Sequence, residues 1–189
     1  MLIRIVLFLL ESLFFVLIGA ALLRAWMNWL RINMRTQPGL FAMAATDWLV
    51  KPLRRLMPAM LAQSRIDWAS VLAAFMLALA YGLIWTLLMN VTGAPDGPLT
   101  GAVPLALLGM VVFALKMLLR VVLQGLFFLV LAFAVLSWLQ PGSPVYQQLG
   151  RLVDPLITPF RRVVPSIGGV DLSALVLMLL LQIGLMLLG

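Results

Sequence analysis

The chain has no cysteine and no histidine. That excludes disulfides, thiolate nucleophiles, iron–sulfur ligation and histidine-based metal sites, and it removes the most common general base. Acid is scarce too: 6 Asp and Glu stand against 13 Lys and Arg in 189 residues, a formal net charge of +7. The acids are scattered, mostly at segment ends or in a turn. No phosphate-cradling glycine loop, G-x-S-x-G, H-E-x-x-H or paired acids are present. The sequence therefore predicts no enzyme, no cofactor and no metal site.

Charge of either sign is sparse. Only 10% of residues are charged, where soluble domains carry about a quarter. Hydrophobic residues make up 65% and mean hydropathy is +1.16. A globule of this size cannot hide that much apolar surface in one core, so lipid must be its solvent. The positive balance then reads as an orientation signal and an attraction to anionic head groups. Outside the apolar spans no aromatics interleave with the basic residues, so nucleic acid is not an expected partner.

A bilayer core about 30 Å thick needs about 20 helical residues. The first apolar run, 2–30, predicts a span at about 5–27. A signal peptide is the competing reading, disfavoured because the run exceeds an apolar region of about 7–15 residues and Glu11 interrupts it. Residues 67–90 predict a second span opened by Asp67, whose carboxylate can cap free amides. "VTGAPDGPLTG" then reads as a loop. Residues 102–139 form one apolar run holding Lys116, Arg120 and Gln124, open between one crossing and two. The last span, 171–188, again opens on an aspartate, Asp171.

A repeat decides that count. "DWLVKPLRRLMP" (47–58) aligns with "DPLITPFRRVVP" (154–165) at an offset of 107 residues. Asp47 matches Asp154, Pro52 matches Pro159, Arg54 and Arg55 match Arg161 and Arg162, and Pro58 matches Pro165. "ESLFFVL" (11–17) resembles "QGLFFLV" (124–130), and Asp67 and Asp171 follow at similar distances. Each half thus reads span, basic segment, span. A double crossing in 102–139 would put one Arg-Arg segment on each side. A single crossing at about 117–139 gathers Arg31, Arg35, Lys51, Arg54, Arg55, Arg65, Arg151, Arg161 and Arg162 on one side, as the positive-inside rule prefers.

The expectation is an all-α membrane protein with four transmembrane helices, arranged as two parallel tandem repeats. The first repeat is 1–90, a connecting loop and short apolar helix occupy 91–116, and the second repeat is 117–189. Both termini lie outside and both basic segments are cytoplasmic.

As a helix, 40–50 gathers Leu40, Phe41, Ala44, Trp48 and Leu49 near one stripe, with Asp47 and Lys51 on another side. Pro52 disfavours helical geometry at Lys51, which predicts two short pieces lying in the interface. Apolar residues would face acyl chains while Lys51, Arg54, Arg55, Arg161 and Arg162 face phosphates or a partner. Asp47 and Asp154 each precede their arginine by seven residues. In an ideal helix that is two turns, too far for a direct salt bridge unless the central proline kinks the chain.

Glu11 lies inside the first span, where a carboxylate costs about 2.5–3.5 kcal/mol on insertion scales. Gln124 holds the matching repeat position. A Glu11–Gln124 tie worth about 0.6–2 kcal/mol would satisfy both. A coupling-ion or proton site is the other reading.

Two copies of D-x-L-x-x-P-x-R-R-x-x-P, followed by Asp opening an apolar helix ("GGVDLSALVLMLLLQ", 168–182), resemble the YGGT-repeat family of YggT/YlmG-like membrane proteins of bacteria and plastids. "RAWMNWL" (24–30) and "LSWLQPGSP" (136–144) fit it too. The first copy departs from the pattern, with "MPAMLAQSRIDWAS" where the second has "VPSIGGVDLSA". The resemblance implies a small bacterial inner-membrane protein with no established catalytic activity. It also implies links to osmotic or ion stress tolerance, to division or nucleoid organisation and, in plastids, to assembly of membrane cytochromes. Two functions are expected from this point: a membrane scaffold whose basic platforms meet anionic lipid or another membrane protein, or a transport component in ion and osmotic balance working as a homo-oligomer.

Overall fold

The computed structural model describes residues 2–57, 66–91, 103–162 and 172–188. Among them the chain forms six helices: α1 (Leu2–Trp29), α2 (Gly39–Leu56), α3 (Trp68–Val91), α4 (Val103–Leu139), α5 (Pro144–Arg161) and α6 (Leu172–Leu188). Three contain a stretch long and apolar enough to cross a bilayer: Arg4–Trp29, Trp68–Met89 and Leu107–Leu139. α6 is equally apolar but shorter, with 17 residues and a length of about 26 Å. This is an all-helical membrane chain.

α4 resolves the long apolar run. The short apolar helix expected within 91–116 and the span expected at 117–139 are one continuous helix of 37 residues, Val103–Leu139, about 55 Å long. Its proline, Pro104, stands in the first turn, where a missing amide hydrogen breaks no helical bond.

The chain divides into two compact units, one up to Val121 and one from Val122. In the first, α1 and α3 run antiparallel and α4 joins them. Ile18, Ala21, Ala74, Ala78 and Ala114 are fully buried, so small residues let the backbones approach. Tyr81 of α3 packs between Phe14 of α1, at 5.5 Å between ring centroids, and Phe113 of α4, at 6.0 Å. Gly19 and Val121 meet further along, so α1 and the start of α4 run parallel.

Chain reversal after α1 uses a left-handed residue. Ile32 N–H reaches back to Met27 O at 3.0 Å and Arg31 N–H to Asn28 O at 3.1 Å, with Arg31 at φ 56°. This is a Schellman end made without glycine, at a cost of about 1–2 kcal/mol. Gly39 then opens α2 with no room for a side chain: a Cβ would sit 2.7 Å from Met34 Cα and O.

α2 is a single helix through Pro52, and α5 is a single helix through Pro155 and Pro159. The expected break into two pieces does not occur. A helical proline leaves the carbonyl four residues back without its donor. Here those residues are Trp48, Arg151 and Pro155, all exposed like the prolines themselves, so the orphaned carbonyls face solvent or head groups rather than a dry core. α2 ends with Met57 extended at φ −78°, ψ 141°, as the residue before a proline is driven to be. Pro58, Pro165 and Asp171 lie outside the described residues.

In the second unit, Ser143 caps α5 by accepting Tyr146 N–H at 3.2 Å, with Pro144 at the first helical position. Phe133 stacks on Tyr146 at 5.0 Å. α5 buries Leu149, Leu152, Val153 and Ile157, and α6 buries Ser173, Ala174, Leu177 and Leu181.

Candidate functional site

The inward stripe of α2 is Ala42, Thr46 and Val50, spaced four apart, and it packs against α1 and α3. Asp47 stands beside that stripe, half-buried, while Phe41, Trp48, Lys51, Arg54 and Arg55 point outward. Into this junction α1 delivers Arg24, which is 5% exposed. Its Nη1 donates to Asp47 Oδ1 at 2.7 Å and to Thr46 Oγ1 at 3.2 Å. The Thr46 hydroxyl in turn donates to Ala42 O at 2.6 Å. Arg24 Nε lies 3.7 Å from Asp67 Oδ2, beyond hydrogen-bond length, and has no hydrogen-bond partner among the described residues.

Asp67 ties the third helix in. Its Oδ2 accepts from Arg54 Nη2 at 2.5 Å and from Ser70 Oγ at 2.9 Å, while Oδ1 faces Ser70 N at 3.4 Å as an N-cap. Asp47 Oδ2 also takes Lys51 Nζ at 2.7 Å, one turn away. The hydrogen bond from Lys51 is the largest influence on Asp47 and holds its carboxyl below the ordinary range; burial opposes this, and Arg24 adds to the lowering. Two aspartates and three cations thus clamp α1, α2 and α3 together at one end of the unit.

The second copy is wired differently. Asp154 Oδ1 pairs with Arg161 Nη1 at 3.3 Å along the exposed side of α5, the seven-residue contact that ideal geometry disfavours. Pro155 and Pro159 lie between them in this helix. In the first copy Asp47 turns to Arg24 and Lys51 instead, and Arg54 goes to Asp67. Extending the ESLFFVL–QGLFFLV alignment puts Ser137 opposite Arg24, so the second copy has no arginine to bury there.

The two arginines of each pair therefore differ. Arg54 and Arg161 each hold an aspartate. Arg55 and Arg162 are exposed and make no ion pair among the described residues. In the first unit Trp29, Trp48 and Trp68 are all exposed at this same end, at 46%, 61% and 40%. Exposed tryptophans at helix ends are the mark of a membrane–water boundary. Glu11 is exposed on α1, and Gln124 is half-buried on α4.

Sequence reasoning missed Arg24, Thr46 and Ser70. An isolated arginine at the end of an apolar run needs a partner, and that rule could have singled out Arg24, though not which aspartate it takes.

A family model described as CCB3/YggT matches the chain on two segments, residues 3–88 and 112–189. Among curated proteins, the "Uncharacterized protein YggT" of Escherichia coli K12 is 34% identical over 163 residues, covering 86% of this chain and 77% of that protein. An "Uncharacterized protein in proC 3'region" of Vibrio alginolyticus is 33% identical over 183 residues, covering 96% and 92%. "Uncharacterized protein PA0392" of Pseudomonas aeruginosa is 29% identical over 164 residues, covering 86% and 77%. No solved structure matches.

Proposed function

The chain belongs to the CCB3/YggT family, and we propose that it is a non-enzymatic scaffold of the bacterial inner membrane. Four spans form two parallel hairpins, and both Arg-Arg elbows face the cytoplasm. Each elbow is a basic amphipathic platform for anionic head groups or for a membrane partner recognised through them. The observation that carries this reading is the division of labour within each arginine pair. The first arginine is neutralised by an aspartate of the fold and the second is exposed, with Arg55 standing beside the exposed Leu56.

A fold needing only a charge stop at the head-group layer would gain nothing from neutralising one arginine and freeing the other at the same place in both copies. Holding the first arginine fixes where the second points. An arginine so presented can grip a phosphate with two parallel hydrogen bonds, and each cation at an anionic surface is worth about 1 kcal/mol. Two segments matched by one family model support the repeat, and the crowding of cations in both elbows supports their common side.

The test is purification of the protein in mild detergent, followed by mass spectrometry of the lipid carried with it. Arg55→Gln with Arg162→Gln should strip the anionic lipid while leaving zwitterionic lipid and insertion unchanged. An unchanged anionic fraction refutes the platforms.

A further inference from the structure

A second set of charges lies within the first unit, away from its own elbow. Arg24 and the three exposed tryptophans mark one boundary of the bilayer. Glu11 precedes Arg24 on α1 by thirteen residues, which is about 20 Å of helix, inside a hydrocarbon layer about 30 Å thick. On α4, Lys116 and Arg120 follow Phe113 by three and seven residues. Phe14 and Phe113 flank the same Tyr81, and Gly19 meets Val121, so both cations also fall within the hydrocarbon layer. Glu11, Lys116 and Arg120 are all exposed, and none makes an ion pair among the described residues. Residues one turn away on the same faces are apolar and exposed as well: Phe8 beside Glu11, and Val112 and Leu119 beside Lys116.

We propose that this face of α1 and α4 docks a second copy of the chain, with Glu11 of each copy set against Lys116 and Arg120 of the other. Lipid offers these charges no partner, and an intramembrane ion is stable only when paired or hydrated. The occupant must bring a cation within side-chain reach of Glu11 and an acid within side-chain reach of the two cations. A second copy inserted in the same orientation does both, because a two-fold axis along the membrane normal makes the contact self-complementary. Reach is adequate. Glu11 stands about five residues, roughly 7–8 Å, above Lys116, and side chains on α4 lean toward its N-terminus, which is the direction of Glu11. The surrounding leucines and valines supply close packing in place of a hydrophobic drive.

Charge reversal tests this with its own folding control. Two differently tagged copies are co-expressed and one tag is captured in mild detergent. Wild-type copies should co-purify. Glu11→Lys in both copies places cation against cation, and Lys116→Glu with Arg120→Glu in both copies places acid against acid. Each should lower capture by roughly tenfold or more, as like charges at a buried contact do. Pairing one Glu11→Lys copy with one Lys116→Glu/Arg120→Glu copy restores both contacts and should restore capture. The idea is overturned if wild-type copies do not co-purify, if either reversal leaves capture unchanged, or if the mixed pair stays apart. None of these results bears on the Arg55 and Arg162 platforms, since neither arginine is changed.

Discussion

Arg24 Nη1 lies 2.7 Å from Asp47 Oδ1, across two helices and 23 residues of chain. The arginine is almost fully buried and the aspartate partly so. Loss of one member of a buried pair strands the other, which costs about 3–5 kcal/mol. Arg24→Leu takes one cation from each aspartate while Lys51 and Arg54 remain, so it should destabilise the first unit by less than that figure. Thermal unfolding in detergent measures it. Arg54→Gln removes a pair whose arginine is 50% exposed and should cost much less.

Acid should loosen the same junction. Asp47 is held below the usual carboxylate range, first by Lys51 and then by Arg24. A lowered folded-state value means that the stabilisation is complete above the unfolded aspartate value and is lost as pH falls through the folded one. The unfolding temperature of the wild type should therefore drop as pH falls below the ordinary aspartate range. Asp47→Asn should show a smaller drop across the same window, because it lacks this carboxylate.

Gly39→Ala should be damaging beyond its change in size. The added Cβ meets backbone atoms of Met34 at 2.7 Å, and backbone cannot step aside as a side-chain tip can. Gly125→Ala is the matched control, with nothing within 4 Å of the new carbon. Replacing a helical glycine there should be neutral or stabilising by up to about 1 kcal/mol. Unfolding temperatures of the two variants should move in opposite directions, or the second not at all.

Ser143→Ala removes the cap of α5. Its Oγ accepts Tyr146 N–H, and loss of such a cap costs about 0.5–2 kcal/mol. Hydrogen exchange should accelerate in the first turn of α5 and leave α2 as it was.

The helical class and the spans at α1 and α3 were legible in hydropathy and length, because a bilayer sets both. Asp67 was legible as a cap, because capping is a local rule. Arg24 was not, since its two aspartates lie on other helices and no local spacing announces them. Pro52 misled in the other direction. A proline at that place reads as a break, yet only the exposure of Trp48 and Pro52 shows that the orphaned carbonyl is tolerated. The length of α4 was open for a related reason: Lys116 and Arg120 look like an end of a span, and only the backbone shows the helix continuing past them. The different wiring of the two elbows was hidden by their identity in sequence, because it depends on Arg24 in one and on its absence in the other.

Both elbows facing one side of the membrane is the claim on which the platform reading stands. The chain has no cysteine of its own, so single cysteines report cleanly. Lys51→Cys and Thr158→Cys occupy equivalent positions in the two copies, and both sites are exposed. An impermeant thiol reagent is added to cells before and after the inner membrane is opened. The expected result is that both cysteines stay protected in intact cells and both label once it is opened. Labelling of one in intact cells while its counterpart stays protected would contradict the arrangement.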